Sequence, residues 1–217
     1  MAQAAMRAGR EPSEVRLIAV TKTVDIDLIR KAVDIGLREL GENRVQEAQK
    51  KISNLKSEIS NSKIIWHLIG HLQKNKVKTA VGLFDLIHSV DSLELAEEIN
   101  SQSAKIGKVQ RVLIQVKLSE EETKHGAAEN DLFALLRKIT ALGNVKPEGL
   151  MTMPPFFDEP ERARPYFRRL SELRKEAEKK GFRLPELSMG MSNDFEVAIE
   201  EGATMVRVGT AIFGERS

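Results

Sequence analysis

The sequence predicts a (β/α)8 barrel, and three observations lead there. Short apolar runs rich in branched residues alternate with amphipathic stretches along the whole chain, the pattern that sets a parallel strand before each helix. Eight such runs can be counted, the number that closes a barrel. The connections are short, and no repeat, low-complexity tract or linker rich in Gly, Ser or Pro interrupts them. The 217 residues therefore read as one domain, 1–217, at the small end of the size range of such barrels. An open doubly wound sheet is the alternative, and the count of eight favours closure.

The elements follow in order. Met1 to Arg10 resembles the last turns of a helix ended by Gly9, which predicts a truncated first helix whose start lies upstream. Arg16–Thr23 is the first strand, ending at Lys22, and Asp25–Gly36 carries a helical apolar face closed by glycine. Glu39–Asn43 is a short strand that opens into a helix over Val45–Lys56. Ile64–Gly70 is a strand, followed by a basic segment, Gln73–Thr79, with helical spacing. Phe84–Val90 and Val109–Val116 read as strands on either side of a helix over Ser92–Ser103. A loop through Gly126 leads to a helix over Glu129–Leu142. Val145–Thr152, Glu186–Gly190 and Ala203–Val208 complete the strands, separated by a charged helix over Glu159–Lys180 and a short one over Asp194–Glu201.

Composition removes several classes of function. With no cysteine there are no disulfides, thiolate metal sites or thiol nucleophiles, which suits a reducing, cytoplasmic setting. A net charge of +2, from 34 basic and 32 acidic residues, offers no broad field for nucleic acid. Nothing near Met1 resembles a signal peptide and no apolar run approaches membrane-spanning length, so a soluble protein without membrane contact is expected.

In such a barrel the chemistry sits at the C-terminal ends of the strands. Those positions here are Lys22, Glu42, Asn43, His67, Ser89, Asp91, Lys117, Thr152, Ser192, Asn193 and Arg207. A lysine is ordinarily a solvated cation, but at a barrel mouth it can attack a carbonyl to form a Schiff base. Ser188–Asp194 is a glycine-containing turn from strand into helix, where free N–H groups can seat an anion; alternatively, Asn193 and Glu196 simply form a capping box. Arg207-Val-Gly-Thr210 repeats the provision on the next strand, and these two loops are where barrels commonly bind phosphate. Arg207 lies between Val206 and Val208 and so points opposite to them, into the barrel, where it must meet either a carboxylate of the fold or a ligand atom. His67 and His71 span a strand end and Gly70 rather than one helical face, so no metal site is expected, and His67 is placed at the mouth.

Taken together the motifs resemble the pyridoxal phosphate homeostasis proteins of the YggS/PROSC type along nearly the whole chain. The matching stretches are Ala-Val-Thr-Lys-Thr at 19–23, Gly-Glu-Asn-Arg-Val-Gln-Glu at 41–47 and Trp-His-Leu-Ile-Gly-His-Leu-Gln-Lys-Asn-Lys at 66–76. Further ones are His-Ser-Val-Asp-Ser at 88–92, Gly-Leu-Met-Thr-Met at 149–153, Leu-Ser-Met-Gly-Met-Ser-Asn-Asp at 187–194 and Val-Arg-Val-Gly-Thr-Ala-Ile-Phe-Gly at 206–214. The resemblance implies a barrel of the alanine racemase N-terminal domain type that binds pyridoxal 5′-phosphate. It implies Lys22 as the Schiff-base lysine, Arg207 at the pyridine nitrogen, Ser192, Gly209 and Thr210 at the phosphate, and Asn43, His67 and Met191 along the pocket. Thr21 stands where serine is common, Asp25 where proline is frequent, and Lys117 where asparagine is frequent before Lys124-His-Gly126.

The implied function is a carrier that holds the cofactor and takes part in its homeostasis without strong catalysis. Pyridoxal phosphate-dependent apoenzymes are the implied recipients, and a monomer is expected. A cation at the ring nitrogen keeps that nitrogen unprotonated and weakens the ring as an electron sink. An amino-acid racemase is the first alternative, but it needs an acid/base opposite the lysine. The only tyrosine, Tyr166, lies in the charged sixth helix. A Schiff-base aldolase acting on a phosphorylated sugar is the second alternative.

Overall fold

Parallel pairing of the apolar runs builds the architecture. The computed structural model describes residues 1–56, 63–119, 121 and 125–214; Lys124 lies outside them. The strands are β1 (Arg16–Val20), β2 (Glu39–Glu42), β3 (Ile65–Leu68), β4 (Leu86–Val90), β5 (Gln110–Lys117), β6 (Ala127–Ala128), β7 (Val145–Met151), β8 (Glu186–Met191) and β9 (Met205–Val208). They form one sheet in the order β4-β3-β2-β1-β9-β8-β7-β5-β6. A further parallel pairing of β4 with β5 closes the ring. Apart from β6, which hangs on β5, the strands of this sheet are the eight of a closed barrel, so the open-sheet alternative falls.

The helices between them are α1 (Ala2–Arg7), α2 (Ile26–Asp34), α3 (Val45–Lys56), α4 (Val77–Leu83), α5 (Leu93–Lys105), α6 (Leu132–Thr140), α7 (Arg164–Lys179), α8 (Phe195–Glu200) and α9 (Thr210–Phe213). Their apolar faces meet the outward residues of the strands, such as Ala19, Leu40, Ile87, Val206 and Val208, in one large cluster. Inward residues Ile18, Leu86, Leu113, Met151 and Met205 form a second, smaller cluster inside the barrel. Asp25 caps α2, accepting from the Asp27 N–H at 2.8 Å. Gly9 has a left-handed φ of 66° just beyond α1, as its reading as a helix stop requires.

The basic segment is shorter as a helix than its spacing predicts: Lys74–Lys76 is a single 3-10 turn and α4 begins at Val77. The third strand also ends early, at Leu68. A Cβ at Gly70 would stand 2.3 Å from the Asn43 carbonyl oxygen, so only glycine lets this segment leave the ladder and cross the end of β2. Among the described residues, no helix is long and apolar enough to cross a membrane.

Candidate functional site at the barrel mouth

Register sets the site. Ala19 pairs with Val208 and Val20 with Gly41, so Lys22, Asn43 and Thr210 follow three adjacent strands in the ring order β9-β1-β2. On the other side of β9, β8 ends at Met191, paired with Arg207. Met191, Ser192, Gly209, Thr210, Lys22 and Asn43 thus share one arc of the mouth. Ser192 and Gly209 touch, the Gly209 N–H donating to Ser192 Oγ at 3.2 Å. Thr210 is exposed and opens α9, whose first N–H groups have no intrahelical acceptor. Three residues of β8 span two of β9 here, a bulge at Gly190, φ 89°. A Cβ at Gly190 would lie 2.6 Å from that of Ala198, so the glycine lets α8 close down under the Ser192 turn.

The capping-box alternative for that turn does not form. Asn193 donates instead to the Phe157 carbonyl at 2.9 Å, and Asp194 Oδ1 accepts from the Met191 N–H at 2.6 Å. The turn is braced from both sides, with Ser192 left facing Gly209.

Arg207 points inward, as its place between Val206 and Val208 predicts, and it is buried. Among the described residues, no carboxylate is bonded to it. Nη1 donates to Ser188 Oγ at 2.6 Å and Nη2 to the Thr152 carbonyl at 2.9 Å. Burial pushes its pKa down to about 10, opposed by the charge of Asp194, so it remains a cation at neutral pH. A desolvated guanidinium held only by neutral acceptors is costly and suits a ligand acceptor beside it.

His67 lies fully buried inside the barrel, Nδ1 2.9 Å from His88 Nε2, while His88 Nδ1 is 2.9 Å from Ser188 Oγ. His67 Nε2 lies 3.1 Å from Glu39 Oε2, poorly aligned for a hydrogen bond. His67 faces inward one residue before the end of β3. If each group donates to the next, the string runs from Arg207 through Ser188 and His88 to His67, whose Nε2 faces the Glu39 carboxylate. Burial, followed by the charges of His67 and Arg207, holds His88 well below the usual imidazole range. Burial works to raise Glu39, but His67 and Arg16 outweigh it and lower its pKa.

A second set of polar contacts fixes the turn that carries Lys22. Lys22 is exposed and, among the described residues, has no hydrogen-bond or ion-pair partner. Its neighbours are pinned: buried Thr21 donates to Glu42 Oε1 at 2.6 Å, and the Thr23 N–H donates to Glu47 Oε1. Thr23 adopts a left-handed φ of 57°, uncommon for a β-branched residue and held in place by that carboxylate. Lys51 ties the set together, 2.9 Å from Glu42 Oε1 and 2.6 Å from Glu47 Oε1, and donates to the Thr21 carbonyl. Sequence reasoning missed Lys51, although its signal was present. It shares a helix face with Val45, Ala48, Ile52 and Leu55, where a charge is out of pattern. His88 carried the same kind of signal as a polar residue two places after inward Leu86.

With this geometry in hand, the relatives of the chain can be compared. A family model described as alanine racemase, N-terminal domain, matches residues 2–217. The chain belongs to the alanine racemase N-terminal domain family. Within that family it is 50% identical over 215 residues to the pyridoxal phosphate homeostasis protein of Aquifex aeolicus, covering 99% of this chain and 92% of that one. The protein of the same description in Mus musculus is 43% identical, covering 93% and 77%. Among solved structures, PipY of Synechococcus elongatus PCC7942 with PLP bound superposes with a TM-score of 0.84 at 40% identity, covering 98% of both chains. Alanine racemase of Clostridium difficile 630, at 16% identity and TM-score 0.76, covers 99% of this chain and 54% of that one and shares the fold. Among the described residues, the donors present fit the cofactor that PipY was solved with: a lysine without a partner, a buried cation bonded to no carboxylate, and a hydroxyl and N–H corner on the same arc.

Proposed function

We propose that this chain holds pyridoxal 5′-phosphate covalently through the Lys22 amine and takes part in keeping the cofactor pool of the cytoplasm, without strong catalysis of its own. The observation that carries the reading is Arg207, a buried cation whose hydrogen-bond partners are neutral, on the strand beside the Lys22 turn. When bound, the cofactor supplies an aldehyde that condenses with an amine and a ring that can draw electrons from a substrate. Lys22 supplies the primary amine, and condensation releases one water. Ser192 and Thr210 offer hydroxyls to a phosphate, Gly209, whose N–H rests on Ser192 Oγ, lets the backbone approach it closely, and Asn43 and Met191 flank it on the same arc. Arg207 presents N–H donors and remains protonated, so it would hold a ring nitrogen placed beside it unprotonated and a weak electron sink. That property weakens carbanion chemistry in general, and the carrier reading over a racemase rests on a racemase's need for a second acid/base opposite Lys22. A monomer that passes the cofactor to dependent apoenzymes is the form we assign to it.

The test is spectroscopic. Adding the cofactor to the purified chain should produce a band near about 420 nm, and borohydride followed by peptide mapping should place the label on Lys22. A label on a different lysine with Lys22 unmodified would overturn the assignment. Loss of amino-acid optical purity faster than with free cofactor would overturn the carrier reading in favour of the racemase.

A further inference from the structure

Beside the arc just described, three side chains that the sequence keeps far apart come together. His71 follows β3, Asp91 follows β4, and His125 lies in the loop between β5 and β6. The His71 and His125 rings stack, centroids 4.0 Å apart and planes at 14°. His71 Nδ1 stands 3.9 Å from Asp91 Oδ2. One ligand atom from each of the three lies within 4.8 Å of the others. Among the described residues, no hydrogen bond is made to any of these three side chains, so their lone pairs are free.

Buried residues hold two of the three loops in place. Ser89, on β4, donates to the Gly70 carbonyl at 2.7 Å and so fixes the backbone just before His71. Gln115, on β5, donates to the His125 carbonyl at 2.8 Å. Each histidine also adjoins a glycine that a side chain could not replace. A Cβ at Gly126 would lie 2.6 Å from Lys117 N, just as one at Gly70 would strike Asn43.

We infer that His71, Asp91 and His125 form a binding site for a transition-metal dication of the zinc class. Two neutral imidazoles and a carboxylate are the donor set for Zn2+, Co2+ or Ni2+, whereas Mg2+ and Ca2+ prefer oxygen. Three atoms within 4.8 Å of one another share a point no more than about 2.8 Å from each. Zinc asks for about 2.0–2.2 Å, so each ligand has to close by only about 0.7 Å. The two rings must also tilt apart, which their exposure allows, since His71 and His125 stand at the surface and Asp91 is half-buried. Three protein ligands and solvent access leave a fourth position for water or a ligand group, the form of an open zinc site. His71 also lines a cleft of about 740 Å³ with Asn43, Arg44 and Gln73, so the ion would border the mouth where Lys22 stands. The proposal does not depend on the cofactor reading.

The test uses the full chain stripped with EDTA. Calorimetric titration should give one Zn2+ per chain, and Co2+ should develop visible d–d bands that Zn2+ displaces. His71→Ala, Asp91→Asn and His125→Ala should each weaken Zn2+ at least about tenfold, because each removes one of three ligands. In the unaltered chain, Zn2+ should move the imidazole NMR signals of two of the four histidines, leaving buried His67 and His88 in place. Absence of saturable binding, equal affinity for Mg2+, or unchanged affinity in the His71→Ala/His125→Ala double variant would overturn it. NMR shifts confined to His67 and His88 would do the same.

Discussion

Replacing Lys51 by Met removes the charge that ties the Lys22 turn together while keeping the length of the stem. Glu42 is then a carboxylate with no exposed surface, one oxygen bonded to the Thr21 hydroxyl and the other, Oε2, unpartnered. Breaking a buried ion pair by deleting one member costs about 3–5 kcal/mol. Lys51 keeps 11% of its side chain in water, which points to the lower end, about 3 kcal/mol, or a fall in Tm of roughly 6–12 °C for a chain of this size. The loss should depend on pH. Burial already raises the Glu42 carboxyl above its usual range, with Thr21 and Lys51 opposing, and removing Lys51 raises it further. A group whose folded pKa exceeds its unfolded value favours folding below the unfolded pKa and loses that contribution as pH rises through the folded one. The deficit of Lys51→Met should therefore be largest at neutral pH and narrow as pH falls toward about 4.3. Adding Glu42→Gln should recover more than half of it. Urea unfolding followed by circular dichroism at pH 7.5 and 5 measures all of this. A loss under about 1 kcal/mol at neutral pH, or one that neither acid nor the second substitution narrows, would refute the reasoning.

Two further outcomes concern the interior string. His88 is held well below its unfolded pKa, first by burial and then by the charges of His67 and Arg207. Its contribution to stability is complete above about pH 6.5 and is lost as pH falls below that, by up to about 1.4 kcal/mol per pH unit; His88→Gln should flatten this part of the stability–pH curve, and parallel curves would count against it. Ser188→Ala leaves an Arg207 N–H and a ring nitrogen of His88 without partners, at a cost of about 1–3 kcal/mol. It should also weaken pyridoxal phosphate retention in a spectral titration, and unchanged retention would reduce Ser188 to a structural role.

The alternation of side chains along a strand is written locally, and so was much that followed from it. Val206, Arg207 and Val208 alone say that Arg207 faces the barrel, and the turns at Ser192 and Gly209 show themselves by glycine and hydroxyl content. The closed ring and the position of Lys22 at the end of β1 were legible in the same way. What an inward or unpartnered polar group meets was not. His88 reaches Ser188 across 100 residues, and His67 meets His88 across 21. The spacing ruled out one helical face for His71 and His67 but pointed to no other partner, and the fold brings His71 to Asp91 and His125. Lys51 broke the apolar pattern of α3 visibly, yet only the register of β1 against β2 shows that Glu42 and the Thr21 carbonyl wait beneath it. Periodicity belongs to one element and can be read within it; partnership depends on which strands close the ring and in what register, which is decided by packing between residues far apart in the chain.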